Sequence, residues 1–277
     1  YCSITGFGQT GPYAHRAGYD FMIQGMSGLM DITGEPDGPP LKVGVASADI
    51  QTGLYAVIAI QAALIRRGIT GQGAHLDLAL LDTQVAVLAN QAMNFLASGK
   101  PPRRLGNQHP NIVPYRTYPT SDGFLIIASG NERQWQEVCR ILDVSELVAD
   151  PRFETNAARV KNRADLEPLL EARTRLFTRD ALLAALEAAS VPAGPINTIA
   201  DVFADPQAVA RGLATPLPTA SGDASVPSVR GPILMDGEPM LAAVAAPGLG
   251  RDTGAVLTAL GILAERQADL RARGVIS

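Results

Sequence analysis

The chain carries its clearest structural signal in Gly44-Val-Ala-Ser-Ala-Asp49-Ile-Gln-Thr-Gly53-Leu-Tyr-Ala56, where a single carboxylate precedes an apolar segment. From Leu54 to Ile65 nearly every residue is apolar or a good helix former. The next three residues, Arg66-Arg67-Gly68, supply the basic last turn and the glycine that commonly end a helix. The pattern predicts a helix that ends at Gly68 and has Asp49 at or near its N-cap.

Asp49 has two interpretations at such a position. Unpaired backbone N–H groups and the positive end of the helix dipole keep a carboxylate ionised and fix its direction, so Asp49 could act as a nucleophile. Aspartate is also a preferred N-cap residue, and a purely structural cap is the simpler interpretation. The residues around Asp49 do not choose between the two.

The composition describes a globular protein. Hydrophobic residues make up 47% and charged residues 18% of a 277-residue chain, enough for one large or two modest domains. The formal net charge of -4 gives no electrostatic support for binding to nucleic acid or to an anionic membrane. The longest apolar stretch, Leu54 to Ile65, is interrupted by Gln61 and is too short to span a bilayer.

Cysteine usage and the first residues bear on location and completeness. Cys2 and Cys139 lie far apart without metal-ligand spacing, so we expect reduced thiols in a cytoplasmic protein. The opening residues Tyr1 to Thr5 have the pattern of a strand that is followed at once by a glycine turn. A chain that opens inside a strand is expected to lack an N-terminal portion.

Strands and helices alternate in the first part of the chain. Behind the opening strand we predict an apolar segment over Tyr19–Ile32, the Asp49 helix, a strand over His75–Leu80 and a helix over Leu81–Ala97. This order predicts an α/β core with parallel strand pairing.

Elements of a different order follow Pro114. We predict two strands joined by a turn, then three helices, and near the end one more strand and one more helix. Their ranges are Tyr115–Tyr118, Gly123–Ala128, Arg133–Leu142, Leu166–Phe177, Arg179–Ala189, Val229–Met235 and Thr253–Leu263. A charged tail helix is predicted behind Leu263.

A glycine-rich segment follows the opening strand. Gly6-Phe-Gly8-Gln-Thr-Gly11 matches the dinucleotide-binding spacing, but Pro12 and a mixed segment stand where a helix would have to begin. We interpret it as a loop whose backbone could approach a pyrophosphate or a thioester. His15, His75 and His109 form no metal-binding pair, so we predict no metal site.

Three other segments carry groups able to bind ligands. Asp20, after Tyr19, could simply cap the next helix. The segment Leu105–Tyr115 is rich in turn formers and would also serve as a linker. Ser129-Gly-Asn131-Glu132-Arg133 ends a strand and opens a helix, where ligands gather in α/β folds.

Several segments agree in order and spacing with one known family: Ser3–Tyr13, Gly18–Phe21, Ala48-Asp49 with Gly53, Thr70–Gly73, Asn107–Tyr115 and Gly130–Gln134. They resemble the family III CoA-transferases, which include formyl-CoA transferase, carnitine CoA-transferase and the α-methylacyl-CoA racemases. The segments Asn107–Tyr115 and Gly194-Pro-Ile-Asn197 look nearest to members that move CoA between succinate and other dicarboxylates.

The resemblance implies that Asp49 is the catalytic aspartate. Asp49 would attack an acyl-CoA thioester, with succinyl-CoA as the expected donor, to give a mixed anhydride. The released CoA would then form an aspartyl-CoA thioester, which a carboxylic or dicarboxylic acid attacks before CoA re-forms the product thioester. Coenzyme A thioester is thus a substrate, and no permanently bound cofactor is expected.

The resemblance also implies positions for the rest of the site. Such a reaction needs backbone N–H donors for the acyl oxygen and exclusion of water, and the loops Gly6–Gly11 and Ser129–Glu132 are candidates for these tasks. The CoA-binding residues would be Gly6, Phe7, Gly8, Tyr19, Asp20, Asn107 and His109, and the substrate loop would be Gly130, Asn131 and Glu132.

The implied architecture has two domains. A large Rossmann-like α/β domain would use residues 1–110 and 219–277, a smaller α+β domain would use residues 111–218, and two chains would interlock as a homodimer.

Two alternatives remain open. The racemase branch of the family uses a histidine and an aspartate to move a proton next to the thioester, and Tyr19 occupies the histidine position in this sequence. A phenol is a poor base near neutral pH, which favours transfer over racemisation. The other alternative is an inactive fragment of a CoA-binding enzyme.

Overall fold

The computed structural model describes residues 1–276, which form two compact units, Tyr1–Ile196 and the residues from Asn197 onward. Both units contain helices and strands, which confirms the predicted mixed α/β class. The domain boundaries at residues 110 and 218 stay a prediction.

Helices outnumber strands in both halves of the chain. The helices of residues 1–276 are α1 (Asp20–Met26), α2 (Leu29–Ile32), α3 (Ser47–Thr70), α4 (Leu80–Ala86), α5 (Ala89–Ser98), α6 (Glu132–Ile141), α7 (Asn156–Lys161), α8 (Arg163–Thr174), α9 (Arg179–Ala188), α10 (Ile199–Ala204), α11 (Pro206–Ala210), α12 (Thr253–Ala259) and α13 (Ala264–Ala272), with a 3₁₀ turn at Ser145–Val148. The strands are β1 (Cys2–Thr5), β2 (Leu76–Ala79), β3 (Tyr115–Pro119), β4 (Phe124–Ala128), β5 (Ala193–Pro195), β6 (Ala214–Pro218), β7 (Ser225–Val229), β8 (Leu234–Met235) and β9 (Glu238–Pro239).

The first two strands confirm the predicted parallel pairing. β1 lies parallel to β2, with Cys2 opposite Leu76 and Thr5 opposite Ala79. Helix α3 packs against both strands and against α4. A small apolar cluster closes this part of the fold and holds the first turn of α3 in place; its buried members are Phe7, Ile23, Ala48 and Leu80.

Helix α3 is longer than predicted at both ends. It begins at Ser47, so Asp49 lies in the first turn and the N-cap is Ala46, whose side chain cannot cap. Gly68 lies inside the helix, because a glycine ends a helix only where the backbone turns left-handed. That turn occurs at Gly71, which has φ +73° and donates its N–H to the Arg67 carbonyl. The predicted end at Gly68 is therefore wrong, whereas the predicted position of Asp49 near the N-cap is confirmed, although Asp49 does not itself cap the helix.

Helix α3 also extends well beyond the apolar stretch that the sequence indicates. Its 24 residues are long and apolar enough to cross a membrane by length and composition, although core helices of soluble proteins pass the same test. Only 17% of the most apolar 18-residue segment of α3 is buried. The large apolar side chains that α3 exposes, which we call the α3 apolar face, are Ile50, Leu54, Tyr55, Val57, Ile58, Ile60, Leu64, Ile65 and Ile69.

Two other predicted elements are wrong. The helix expected over Leu81–Ala97 is two helices, α4 and α5, because the backbone breaks at Val87 and Leu88 and Ala89 takes φ +49°. The strand expected over Val229–Met235 is interrupted, because Gly231-Pro232 separates the end of β7 from the short hairpin of β8 and β9. Proline has no N–H to donate to a strand ladder.

The second half of the first unit is an antiparallel sheet covered by helices. Strands β3 and β4 confirm the predicted pair, and β5 joins β4 at its other edge. Helices α6, α8 and α9 confirm the three predicted helices, with α8 beginning at Arg163 rather than Leu166. The largest fully buried apolar side chains of this core are Tyr118, Leu125, Ile127, Trp135, Leu142, Phe153, Leu166, Leu170, Leu182 and Leu186.

Candidate functional site

The Asp49 carboxylate is exposed at the first turn of α3. Within residues 1–276 it has no hydrogen-bond or ion-pair partner. Its neighbour Ala48 is fully buried, so the backbone beneath Asp49 is fixed while the carboxylate itself is accessible. A carboxylate that is accessible, unpaired and close to a helix N-terminus has the properties of a nucleophile.

Asp20 caps α3 from the first turn of a different helix. The Ala48 N–H donates to Asp20 Oδ1 at 2.8 Å, and Gln24 Nε2 donates to Asp20 Oδ2 at 2.7 Å. Gln24 is fully buried, and its Oε1 accepts the Val43 N–H at 2.9 Å. Of the two interpretations of Asp49, the structural cap is thus supplied by another residue, Asp20, 28 positions before Ala48.

The glycine-rich loop brings the end of β1 against the start of α1. A Cβ added to Gly6 would lie 2.6 Å from the Gly18 Cα, so the two backbones touch. Phe7 is buried beside Ile23 and Ala48. The contact between Gly6 and Gly18 therefore fixes the backbone next to Tyr19, the residue after Gly18. Tyr19 itself is 79% exposed.

Two N–H groups of this loop are already engaged within the chain. The Gly8 N–H donates to Thr5 Oγ1 at 2.8 Å, and the Gln9 N–H donates to Asp77 Oδ2 at 2.9 Å. Gly8 has φ +87°, a left-handed conformation that favours glycine. These contacts fix the loop, and its predicted role in binding CoA stays a prediction.

Asn107 and His109 lie in the segment that leads into β3. Asn107 Nδ2 donates to Thr117 Oγ1 at 3.3 Å, and Arg163 Nη2 donates to the His109 carbonyl at 2.7 Å. His109 Nδ1 accepts the Asn111 N–H at 3.1 Å. Partial burial and the Arg163 guanidinium lower the pKa of His109 and so favour its neutral form.

The predicted substrate loop forms the start of α6. The Asn131 side chain accepts the Gln134 N–H at 3.0 Å, as an N-cap does, and the Gly130 N–H donates to Gln134 Oε1 at 2.7 Å. Glu132 accepts two bonds from Arg159, at 2.8 and 3.0 Å. The Arg159 side chain is only 2% exposed, and its bonds lower the pKa of Glu132.

Arg159 and Asn156 join the segment Leu105–Tyr115 to the segment Ser129–Arg133. Arg159 Nε donates to the Val113 carbonyl at 2.8 Å, and Asn156 Nδ2 donates to the Asn111 carbonyl at 2.8 Å. The Ser129 N–H also donates to the Pro114 carbonyl at 3.0 Å. The sequence did not indicate Arg159, Asn156 or Gln24, because each acts on residues far away along the chain.

The predicted site residues therefore fall into two groups. Phe7 packs with Ala48 and Asp20 accepts the Ala48 N–H, so these two lie at the first turn of α3, and Gly6, Gly8 and Tyr19 belong to the segments that lead into Phe7 and Asp20. The structure brings Asn107 and His109 into one framework with Gly130, Asn131 and Glu132. Within the described residues, no hydrogen bond or ion pair links this second group to Asp49 or to the first turn of α3.

Comparison with known proteins then decides the family. A family model described as CoA-transferase family III matches residues 1–253. The chain belongs to CoA-transferase family III. This confirms the resemblance that the motifs carry.

Two curated relatives of this family III chain are named as CoA-transferases. "Succinate--glutarate CoA-transferase" of Agrobacterium fabrum is 54% identical over 260 residues, which cover 94% of this chain and 65% of the relative. "Succinyl-CoA:glutarate CoA-transferase" of Mus musculus is 47% identical over 213 residues, which cover 77% of this chain and 49% of the relative. The chain thus spans about half to two thirds of the length of these relatives.

A solved structure agrees with the family fold. The crystal structure of a CaiB/BaiF family protein from Brucella suis superposes with a TM-score of 0.77 at 58% sequence identity. The match covers 94% of this family III chain and 67% of the Brucella chain. The α/β fold expected from the resemblance is therefore confirmed.

Proposed function

We propose that this family III chain carries the nucleophile of a CoA-transferase that moves CoA from succinyl-CoA to a dicarboxylic acid. The observation that carries the proposal is the exposed, unpaired Asp49 carboxylate on a fixed helical turn. The names of the relatives support succinyl-CoA as donor and glutarate as one acceptor.

The chemistry needs only carboxylates and a thioester. An Asp49 oxygen attacks the thioester carbonyl, the carbon–sulfur bond breaks, and CoA departs as a thiolate, so that an acyl-aspartyl anhydride remains. The thiolate attacks the aspartyl carbonyl and releases the first acid, which leaves an aspartyl-CoA thioester. The acceptor carboxylate attacks that thioester to form a second anhydride, and the thiolate then takes the new acyl group and restores Asp49.

The surrounding residues support this chemistry by position. We propose that Tyr19, Asn107 and His109 line the path of CoA and that the loop Gly130–Glu132 closes over the acyl group. The Gly8, Gln9 and Gly130 N–H groups already donate within the chain. We therefore assign these loops the task of shaping the pocket and excluding water rather than donating from those three groups.

We also propose that the protein acts as a homodimer in the cytoplasm. The resemblance to the family implies interlocked chains. The α3 apolar face supports the proposal of a protein partner. Nine large apolar side chains are exposed on this one helix, and such a patch is rarely left open to water.

Trapping of the aspartyl intermediate tests the transferase proposal. The full-length protein is mixed with succinyl-CoA and quenched with hydroxylamine, which converts an aspartyl anhydride or thioester to a hydroxamate, and the peptides are mapped by mass spectrometry. We expect the hydroxamate on Asp49. Asp82 is a matched control, because it is also an exposed aspartate in the first turn of a helix, and Asp82→Asn should label like the wild type.

Two results would contradict the proposal. Transfer activity that survives Asp49→Asn would exclude the aspartyl route. A protein that binds CoA but forms no hydroxamate, and that exchanges the proton next to the thioester, would instead support the racemase alternative.

A further inference from the structure

Asp20 and Gln24 form a closed hydrogen-bonded pair directly beneath the Asp49 turn. One Asp20 oxygen accepts the Ala48 N–H and the other accepts Gln24 Nε2. Gln24 is anchored in turn by the Val43 N–H, three residues before the N-cap of α3. The pair thus holds the chain on both sides of the point where α3 begins.

We propose that Asp20 and Gln24 are positioning residues that orient the first turn of α3 and, through it, the Asp49 carboxylate. The inference rests on the proposed role of Asp49 as nucleophile. It gives Asp20 a task different from the CoA contact that the resemblance implies, since both of its oxygens face donors of this chain.

The strength and burial of these bonds support the inference. A bond from an N–H to a carboxylate is shorter and about twice as strong as a neutral one. Gln24 and Ala48 are fully buried and Asp20 is half-buried, so water has limited access to the bonds that they make. A buried polar network whose members are all satisfied rigidifies the backbone it holds.

Small displacements of that backbone matter for the reaction. Asp49 follows Ala48 directly, so a tilt of the first turn moves the attacking oxygen. Misplacement by about 1 Å can lower a rate by about 100-fold, even when the residue that causes it does not touch the substrate. Loss of the pair should therefore lower kcat with little effect on the binding of succinyl-CoA.

An exchange of the two side-chain types tests the inference. In Asp20→Asn the new amide group faces the Gln24 amide, so two donors meet. In Gln24→Glu two carboxylates meet. In the double variant D20N/Q24E the amide at position 20 donates to the carboxylate at position 24, which still accepts the Val43 N–H, and the net charge equals that of the wild type.

We expect a rescue in the double variant. Each single variant should lower kcat and the rate of Asp49 hydroxamate formation by about 10- to 100-fold, with KM for succinyl-CoA within about threefold of wild type. The double variant should recover kcat to within about threefold, which a double-mutant cycle records as strong coupling. Asp37 lies in an exposed turn, and Asp37→Asn is the control. It should leave kcat and the rate of hydroxamate formation unchanged.

The possible results are distinguishable. A wild type that forms no hydroxamate overturns the proposed function and this inference with it. A wild type that labels while the single variants label equally fast overturns the inference alone. So does an increase in KM that D20N/Q24E does not reverse, because Asp20 would then contact CoA. If a single variant does not fold, a folded but inactive double variant still overturns the inference.

Discussion

At the scale of single residues, the three carboxylates of the predicted site differ in what their oxygens contact. Asp49 has no partner within residues 1–276, Asp20 accepts two bonds from buried groups, and Glu132 is held by Arg159. A residue whose carboxylate is free is available for chemistry, whereas the oxygens of the other two are engaged in the fold. The contacts therefore support Asp49 as the reacting group.

Asp49→Asn should separate activity from stability. Transfer should be lost because an amide is not a nucleophile, while the free energy of unfolding should fall by no more than about 1 kcal/mol, the worth of a carboxylate near a helix N-terminus. Urea denaturation and a transfer assay on the same preparation measure both. A loss of stability much above that figure would mean that Asp49 has a structural role.

Glu132→Gln should alter the dependence of stability on pH. The Arg159 guanidinium lowers the pKa of Glu132 below its ordinary value of 4.5, so the ionised carboxylate stabilises the folded state above that pH and the stabilisation is lost as pH falls below it. The variant should be less stable at pH 7 by about 1 kcal/mol, since half of the Glu132 side chain is exposed and water screens the pair. The difference should shrink as pH falls below 4.5.

A surface pair provides the control for that experiment. Asp143 pairs with Arg173 and is 91% exposed. Asp143→Asn should change the free energy of unfolding at pH 7 by less than about 0.5 kcal/mol. Denaturation curves across pH that are parallel for Glu132→Gln and wild type would rule out the stabilising role given to Glu132.

At the scale of elements, the contact between Gly6 and Gly18 fixes where α1 starts relative to β1. Gly6→Ala should lower the free energy of unfolding by about 1–3 kcal/mol, because the new Cβ would meet backbone rather than a flexible side chain. It should also lower kcat, since the strain acts two residues before Asp20. Thermal unfolding and steady-state kinetics measure the two effects.

Gly68→Ala is the matched glycine control. Gly68 lies inside α3 and has nothing within 4 Å of an added Cβ. Alanine there should raise the free energy of unfolding by about 0.5–1 kcal/mol, because it is the better helix former. If Gly6→Ala were equally harmless, the close approach at Gly18 would not constrain the loop.

These elements also show what the sequence could predict. Local patterns found β1, β2, β3, β4 and the presence of α3, because alternation and apolar runs depend on neighbouring residues. They failed at the ends of α3, since Gly68 keeps helical backbone and Gly71 makes the left-handed turn. The basic residues Arg66 and Arg67 give Gly68 the pattern of a helix end, although the helix continues to Thr70.

For the candidate site too, local patterns indicated some residues and missed the residues that support them from far along the chain. The motifs indicated Asp49 and the loops around it, and the family model agrees with the resemblance that they carry. The support for the Asp49 turn comes from Asp20, which lies 28 residues before Ala48, and the support for Glu132 comes from Arg159, which lies 27 residues later. Such pairs form only when separate elements meet, so one sequence does not reveal them.

At the scale of the whole molecule, the α3 apolar face leaves nine large apolar side chains exposed among the described residues. The α3 apolar face and Asp49 lie on the same helix. A partner that covers the face therefore packs against the helix that carries the proposed nucleophile. A homodimer would bury it against protein, whereas a membrane would bury it against lipid. These two occupants predict different behaviour in solution.

Ile58→Lys tests the homodimer. Ile58 lies on the α3 apolar face and is 61% exposed, so the substitution should leave the fold intact and weaken dimerisation at least about tenfold, which corresponds to about 1.4 kcal/mol. Sedimentation equilibrium of the full-length protein measures the dissociation constant, and Leu176→Lys, at a similarly exposed leucine outside the face, should leave it unchanged. A monomeric wild type would contradict the homodimer. A wild type that sediments with lipid vesicles, and an Ile58→Lys variant that does not, would contradict the cytoplasmic location, because lipid would then be what covers α3.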